Sequence, residues 1–184
     1  MARVEFAKES DLTGKAKEAW DEQTKNNNLT NMKEALLQDY ATYDAYMGWY
    51  TSWARLVEVV GQKAAMIFAH SISTTNNCLL CSLFFISDLK AIGLDPNELV
   101  LDDKEQLLSS LGQQIVKDPT AVSDETFARL HEYYSDAEIV AIVGFAGQMI
   151  ATNNFNSVLQ IDVDRRLIPI QGEFKPAEWR KDIR

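Results

Sequence analysis

The sequence predicts an all-α protein of one domain, a helical bundle, and three observations lead there. Apolar residues recur at spacings of three and four through most of the chain, as one face of a helix requires. Helix-start and helix-stop residues stand at the edges of these periodic stretches. No alternating apolar–polar run bounded by turn residues suggests a strand. With 184 residues the chain is long enough for one well-buried domain and short for two.

The elements follow in order. "TGKAKEAWDEQTKNN" is polar with a modest apolar stripe and reads as an outer helix ending at the Asn26-Asn27-Asn28 turn. "TNMKEALLQDYATYDAYMGWYTSWARLVEVVG" is strongly periodic, with Leu36, Tyr40, Tyr43, Met47, Tyr50 and Ala54 on one face. Its length predicts two helices, or one broken near Gly48. "GQKAAMIFAHSISTTN" is small and apolar, a buried helix. Thr75, Asn76 and Asn77 then favour a new helix start at or near Cys78, and Gly93 stops that helix. "DDKEQLLSSLGQQIVKD" is amphipathic, and "SDETFARLHEYY" opens with a capping pattern. "SDAEIVAIVGFAGQMIATNNFNSVL" is the most apolar helix and is expected at the centre, its G-F-A-G packing closely on another helix. The tail from Asp162 carries Pro169 and Pro176, has no clear period, and is expected on the surface or on a neighbouring subunit.

Composition narrows the function. The formal charge of −9 is the wrong sign for nucleic acid, which is bound through a basic surface. The N-terminal residues lack the apolar core of a secretory signal, and no run is long enough to span a bilayer of about 30 Å. The cytoplasm is therefore the expected compartment, and no membrane partner is expected. No P-loop, G-x-S-x-G or H-E-x-x-H motif is present.

Both cysteines of the chain, Cys78 and Cys81, lie in "TTNNCLLCSLFF" as a C-x-x-C pair. On a helix, residues three apart share a face at about 5–6 Å, within the Cα separation that a disulfide needs. A cysteine in the first helical turn also meets the positive end of the helix dipole, which favours a thiolate. Two buried cysteines packed as small hydrophobes are the alternative. A zinc site would have only His70 and His131 to add to the pair, neither at finger spacing, so no metal is expected. His131 reads as a solvated surface residue and Glu58 as a surface or interface charge. The aromatic-rich "YATYDAYMGWYTSW" reads first as core packing and then as a subunit interface or the wall of an apolar pocket.

"STTNNCLLC" resembles the S-x-x-N-x-C-x-x-C signature of the alkylhydroperoxidase D and carboxymuconolactone decarboxylase superfamily. Ser73, Asn76, Cys78 and Cys81 carry the match, and the likeness of pattern runs from about Met47 to about Asp164. Residues 1–46 are then an N-terminal helical extension, 47–164 the core and 165–184 a tail. The resemblance implies a helical trimer or hexamer that reduces peroxides without metal, haem, flavin or other cofactor. Its partners would be a peroxide substrate and a dithiol reductant protein or small thiol. In such proteins a glutamate twelve residues before the first cysteine and a histidine four after the second relay protons to the second cysteine, the peroxidatic one. Here those positions are Met66 and Phe85, which carry no exchangeable proton.

His70, one helical turn after Met66, is the remaining imidazole in this half of the chain and a candidate stand-in that could hold either cysteine as thiolate. A histidine satisfied within a packed helix pair is the competing reading. The expected function is a thiol-dependent peroxidase cycling through a Cys78–Cys81 disulfide, with Cys78, Cys81 and His70 as its site. The first alternative is a redox-responsive or structural helical oligomer from which the relay has been lost. The second is a lactone-decarboxylating lyase on the same fold.

Overall fold

A computed structural model describes residues 1–179. Eight helices follow one another: α1 (Gly14–Lys25), α2 (Asn31–Leu36), α3 (Tyr40–Val60), α4 (Gln62–Thr75), α5 (Leu79–Ala91), α6 (Asp103–Lys117), α7 (Asp124–His131) and α8 (Asp136–Leu159). A 3-10 run, Arg165–Glu173, closes the chain against α5. Among the described residues there is no strand, and no helix is long and apolar enough to cross a membrane.

Helix α4, and not α8, is the central one. It packs against α3, α5, α6 and α8. Its small residues permit this: Ala64, Ala65, Ala69, Ser71 and Ser73 are all buried, so neighbours approach from several sides. The tightest approach is to α6 at Gly112. A Cβ there would lie 2.5 Å from Ser71 Oγ, 3.0 Å from Ile72 Cγ1 and 3.2 Å from Phe68 Cδ2. The N-termini of the same two helices are joined by Lys63 and the buried Glu105, 2.9 Å apart. Glu105 also completes a capping box with Asp102 at the start of α6.

Helix α8 was expected at the centre because it is so apolar, but it buries only one face. Ile142, Phe145, Ala146 and Met149 enter the core, while Val140 and Val158 are 71% and 61% exposed. Gly144 and Gly147 of its G-F-A-G segment have nothing within 4 Å of an added Cβ, so they do not make a close helix contact within the described chain.

The long periodic stretch forms two helices, as expected, but the break is at Leu37–Asp39 and Gly48 sits inside α3. Asp39 is extended (φ −134°) and accepts a hydrogen bond from Thr42 N at 2.8 Å, an N-cap that starts α3 afresh. The buried face also differs from the expected stripe. Tyr43, Tyr46, Trp49, Trp53 and Leu56 pack inward, whereas Tyr50 is 42% exposed and Ala54 is exposed. Both stripes obey a spacing of three and four. The two tryptophans decide between them, because they stack on each other (5.4 Å) and pack at a tilt against Phe145 (5.8 and 5.7 Å).

Beyond α8 the tail does lie on the surface of the bundle. Leu167 is buried against α5, and the chain then returns to the turn between α4 and α5. Residues 180–184 of the expected tail lie outside the described residues.

The α4–α6 contact gives a direct test. Gly112→Ala is expected to lower stability by about 1–3 kcal/mol, the usual cost of overpacking, read as an earlier midpoint in urea. A midpoint equal to wild type would show that the two helices can part at no cost.

Candidate active site

The site is set by the reversal between α4 and α5. Helix α4 ends at Thr75, and Asn77 takes a left-handed conformation (φ 57°) that asparagine tolerates. Cys78 is the N-cap of α5, with Cys81 in its first turn, so the new helix starts where the sequence places it. The signature residues Ser73 and Asn76 prove to be ties between this reversal and α8. Ser73 Oγ donates to Ala69 O (2.9 Å) and lies 3.3 Å from Asn153 Oδ1, while Asn76 Nδ2 donates to Asn154 Oδ1 at 3.2 Å. Cys78 N donates to Ser73 O at 3.0 Å. On the outer side, Ala177 N donates to Asn77 Oδ1 at 2.6 Å and Trp179 Nε1 to Thr75 O at 2.8 Å.

The two thiols are free and buried, with exposures of 1% for Cys78 and 5% for Cys81. Their acidities diverge. The Cys81 thiol donates a hydrogen bond to Cys78, and the backbone N–H groups of Cys81 and Leu80 and the Ser157 hydroxyl add to it. Together they outweigh burial and hold Cys78 below the ordinary thiol range. Cys81 is pushed well above that range, first because it is the donor in that bond and then by burial and the neighbouring charge on Cys78. Asn156 Nδ2 donates to Cys81 Sγ at 3.2 Å and partly offsets this. Of the two, Cys78 is therefore the sulfur that ionises first, with the proton on Cys81.

A cavity opens on each sulfur. Cys81 shares one of about 440 Å³ with Met66, Phe85, Trp49, Trp53 and Met149. Polar groups enter it at Thr152, Asn156, Asp88, Lys33 and Arg166. Cys78 lines a second cavity of about 630 Å³, together with Asn77, Ser157, Gln160 and Gln171. Asn156 lines both, and its Oδ1 is buried without a hydrogen-bond partner.

The structure therefore brings the relay positions Met66 and Phe85 into one cavity with Cys81, where both are apolar. Phe85 packs against Trp53 at 5.9 Å. His70 lies elsewhere: its Nε2 is 3.3 Å from Thr74 Oγ1, it lines neither cysteine cavity, and burial lowers its pKa to about 4. His131 is exposed, 3.6 Å from Asp136, and Glu58 pairs with Arg55 at 2.8 Å on the surface.

Sequence reasoning missed Asn156 and Ser157, which reach the sulfurs from about 75 residues away. It also missed Asp88, whose seven-residue offset from Cys81 places it on the same helix face and whose carboxyl is raised by burial. That offset was the one readable signal.

His70 has a consequence for acid stability. Its folded pKa, about 4, lies below its unfolded value of 6.5. The unfolded chain therefore binds this proton first, and stability falls as pH drops from about 6.5 towards 4. The loss of thermal midpoint between pH 7 and pH 4.5 is expected to be smaller in His70→Gln than in wild type. An equal loss would show that another group carries the effect.

Comparison with known proteins puts this arrangement in context. No protein-family model matches the chain, and no curated protein matches it either. Solved structures do. A peroxidase-related protein from Silicibacter sp. TM1040 superposes with a TM-score of 0.73 at 14% identity, covering 95% of this chain and 96% of its own. An alkylhydroperoxidase AhpD-core, peroxidase-related protein from Ralstonia eutropha JMP134 superposes at 0.69 with 12% identity, covering 96% and 98%. Likeness at such identities, over nearly the whole of each chain, establishes that this protein has the alkylhydroperoxidase D-like fold.

Proposed function

We propose that the protein is a thiol-dependent peroxidase. The observation that carries this reading is the C-x-x-C pair at the start of α5, buried between two cavities with Cys78 the more acidic of the two thiols. The peroxidase-related proteins that share the fold support it.

The chemistry follows from Cys78 ionising before Cys81. The Cys78 thiolate attacks the terminal oxygen of a hydroperoxide RO–OH, the O–O bond breaks, and Cys78 becomes a sulfenic acid. The departing alkoxide takes up the proton that Cys81 held, giving ROH. The Cys81 thiolate so formed, with Asn156 Nδ2 still donating to it, attacks the Cys78 sulfur and expels hydroxide, which takes back from solvent the proton that Cys78 released on ionising. One peroxide is reduced to alcohol and water while two thiols become a disulfide. A cellular dithiol, protein-bound or small, then returns the pair to its reduced form by exchange.

The resemblance puts the attacking role on the second cysteine; the electrostatics of this chain favour the first. His70 is assigned no step, since its ring meets Thr74 and is neutral at pH 7. One observation favours a second reading: the apolar side chains at Met66 and Phe85 leave proton delivery to the pair itself. A slowly turning dithiol in a redox-responsive oligomer has the same geometry.

Peroxide consumption with dithiothreitol as reductant separates these. Wild type is expected to consume cumene hydroperoxide catalytically, and Cys78→Ser to lose about a hundredfold or more, because only the thiolate is nucleophilic. In Cys81→Ser, dimedone is expected to label a sulfenic acid on Cys78. Label on Cys81 in the Cys78→Ser protein, with turnover retained, would reverse the roles. A disulfide that forms without catalytic consumption would favour the second reading.

A further inference from the structure

The cavity beside Cys81, about 440 Å³, falls in the range of small-molecule sites, roughly 300–1,000 Å³. Its apolar wall is of one kind. Tyr46, Trp49, Tyr50, Trp53, Phe84 and Phe85 line it with four methionines and one leucine, and no valine or isoleucine does. Such rings take up another ring through offset or edge contacts, and a thioether adapts to the ring's outline. Two polar atoms on residues of this wall, Trp49 Nε1 and Asn156 Oδ1, are buried without a hydrogen-bond partner among the described residues. Buried polar atoms of this kind call for a partner.

The charges at the wall select the sign of the ligand. Lys33 and Arg166 line the cavity, and Asp88 is the one carboxylate that does. Burial raises the Asp88 carboxyl above its ordinary range, towards the neutral form. Lys33 is buried, donates to the neutral Gln23 Oε1 (2.6 Å) and Asn28 O (2.8 Å), and lies 5.0 Å over the Tyr50 ring. Arg166 lies 4.8 Å over Phe84. Among the described residues neither cation makes an ion pair. Asp164 acts on both from farther off, but it lies outside the wall and its Oδ1 accepts the Asn31 N–H. In a chain of net charge −9, this wall carries two cations and one carboxylate. Aromatic walls also suit cations, yet here two of the rings already lie under cations of the protein.

We infer that this cavity binds a small aromatic acid: one ring on a short chain, with the ring among Trp49, Trp53 and Phe85 and the carboxylate at Lys33 and Arg166. Binding consumes no thiol, so the inference goes beyond the peroxidase reading and does not rest on it.

Calorimetry on the full, reduced chain tests it with hydrocinnamate, hydrocinnamyl alcohol and the corresponding primary amine, which share one ring and one chain length. Hydrocinnamate is expected to bind about tenfold more tightly than the alcohol, and the amine more weakly than either. Lys33→Met with Arg166→Met, which keeps the apolar stems, is expected to bring the acid to the affinity of the alcohol and leave the alcohol unchanged. In Cys78→Ser, where Cys81 is the remaining cysteine, hydrocinnamate at about ten times its Kd is expected to slow alkylation of Cys81 by N-ethylmaleimide about tenfold. The inference is overturned if the acid shows no saturable binding, or binds no better than the alcohol. It is equally overturned if the folded double variant keeps the preference for the acid, or if the bound acid leaves Cys81 unprotected. Should the double variant not fold, Arg166→Met alone, at an exposed position, decides by the same comparison. Peroxide turnover enters none of these readouts, so a protein that binds the acid and consumes no peroxide overturns the peroxidase reading alone.

Discussion

The site depends on a reversal of two residues that is made almost entirely out of water. Asn76 is buried and Asn77 half-buried, yet the backbone must leave α4 and enter α5 there. Buried polar groups without partners cost free energy, so the turn is held by bonds from three directions. Ser73 supplies its carbonyl to Cys78 N, α8 supplies Asn153 and Asn154, and the tail supplies Ala177 and Trp179. The signature serine and asparagine act in this framework and touch no reacting atom in the mechanism proposed. Their contribution is to fix Cys78 at the first free N–H groups of α5, where a negative charge on sulfur is favoured.

Set against that support, the cavity beside Cys81 lacks proton-carrying side chains where the family resemblance would put them. Met66 and Phe85 join Trp49, Trp53 and Met149 in an apolar wall. Acidity at the site is therefore controlled by the two sulfurs, by the helix end and by neutral donors, Asn156 on one thiol and Ser157 on the other. A neutral donor favours a thiolate and brings no second ionisation with it. The same aromatic wall also holds α3 to α8 through Phe145, so a charged residue at either relay position would enter the main hydrophobic core as well as the site.

What could be read from the sequence was what depends on near neighbours. The helical class, the start of α5 at Cys78 and the shared face of the two cysteines all follow from residues within a turn or two of one another. The break at Asp39 was equally local; Gly48 hid it, although Asp39 caps Thr42 as any N-cap would. The buried stripe of α3 was not decidable locally. Its 21 residues admit two stripes of helical period, and the choice rests on Phe145 a hundred residues away. Apolarity told that α8 must bury a face and not against what, which is why it was expected at the centre. Asn156 and Ser157 lie in a segment whose pattern is only that of an apolar helix; their role comes from the crossing of α5 and α8.

The bonds from Ala177 and Trp179 to the reversal have a further consequence, in time more than in space. Both cysteines leave the ribosome long before residue 177, and domains generally fold in the order in which they are made. Until α8 arrives, the reversal lacks Asn153, Asn154, Asn156 and Ser157; until the tail arrives, it lacks its outer ties. Each stage of synthesis thus ties the reversal down further. The bond between the two thiols and the backbone donors of α5 come with α5 itself, whereas the Ser157 and Asn156 donors and full burial come only as the last hundred residues close around them.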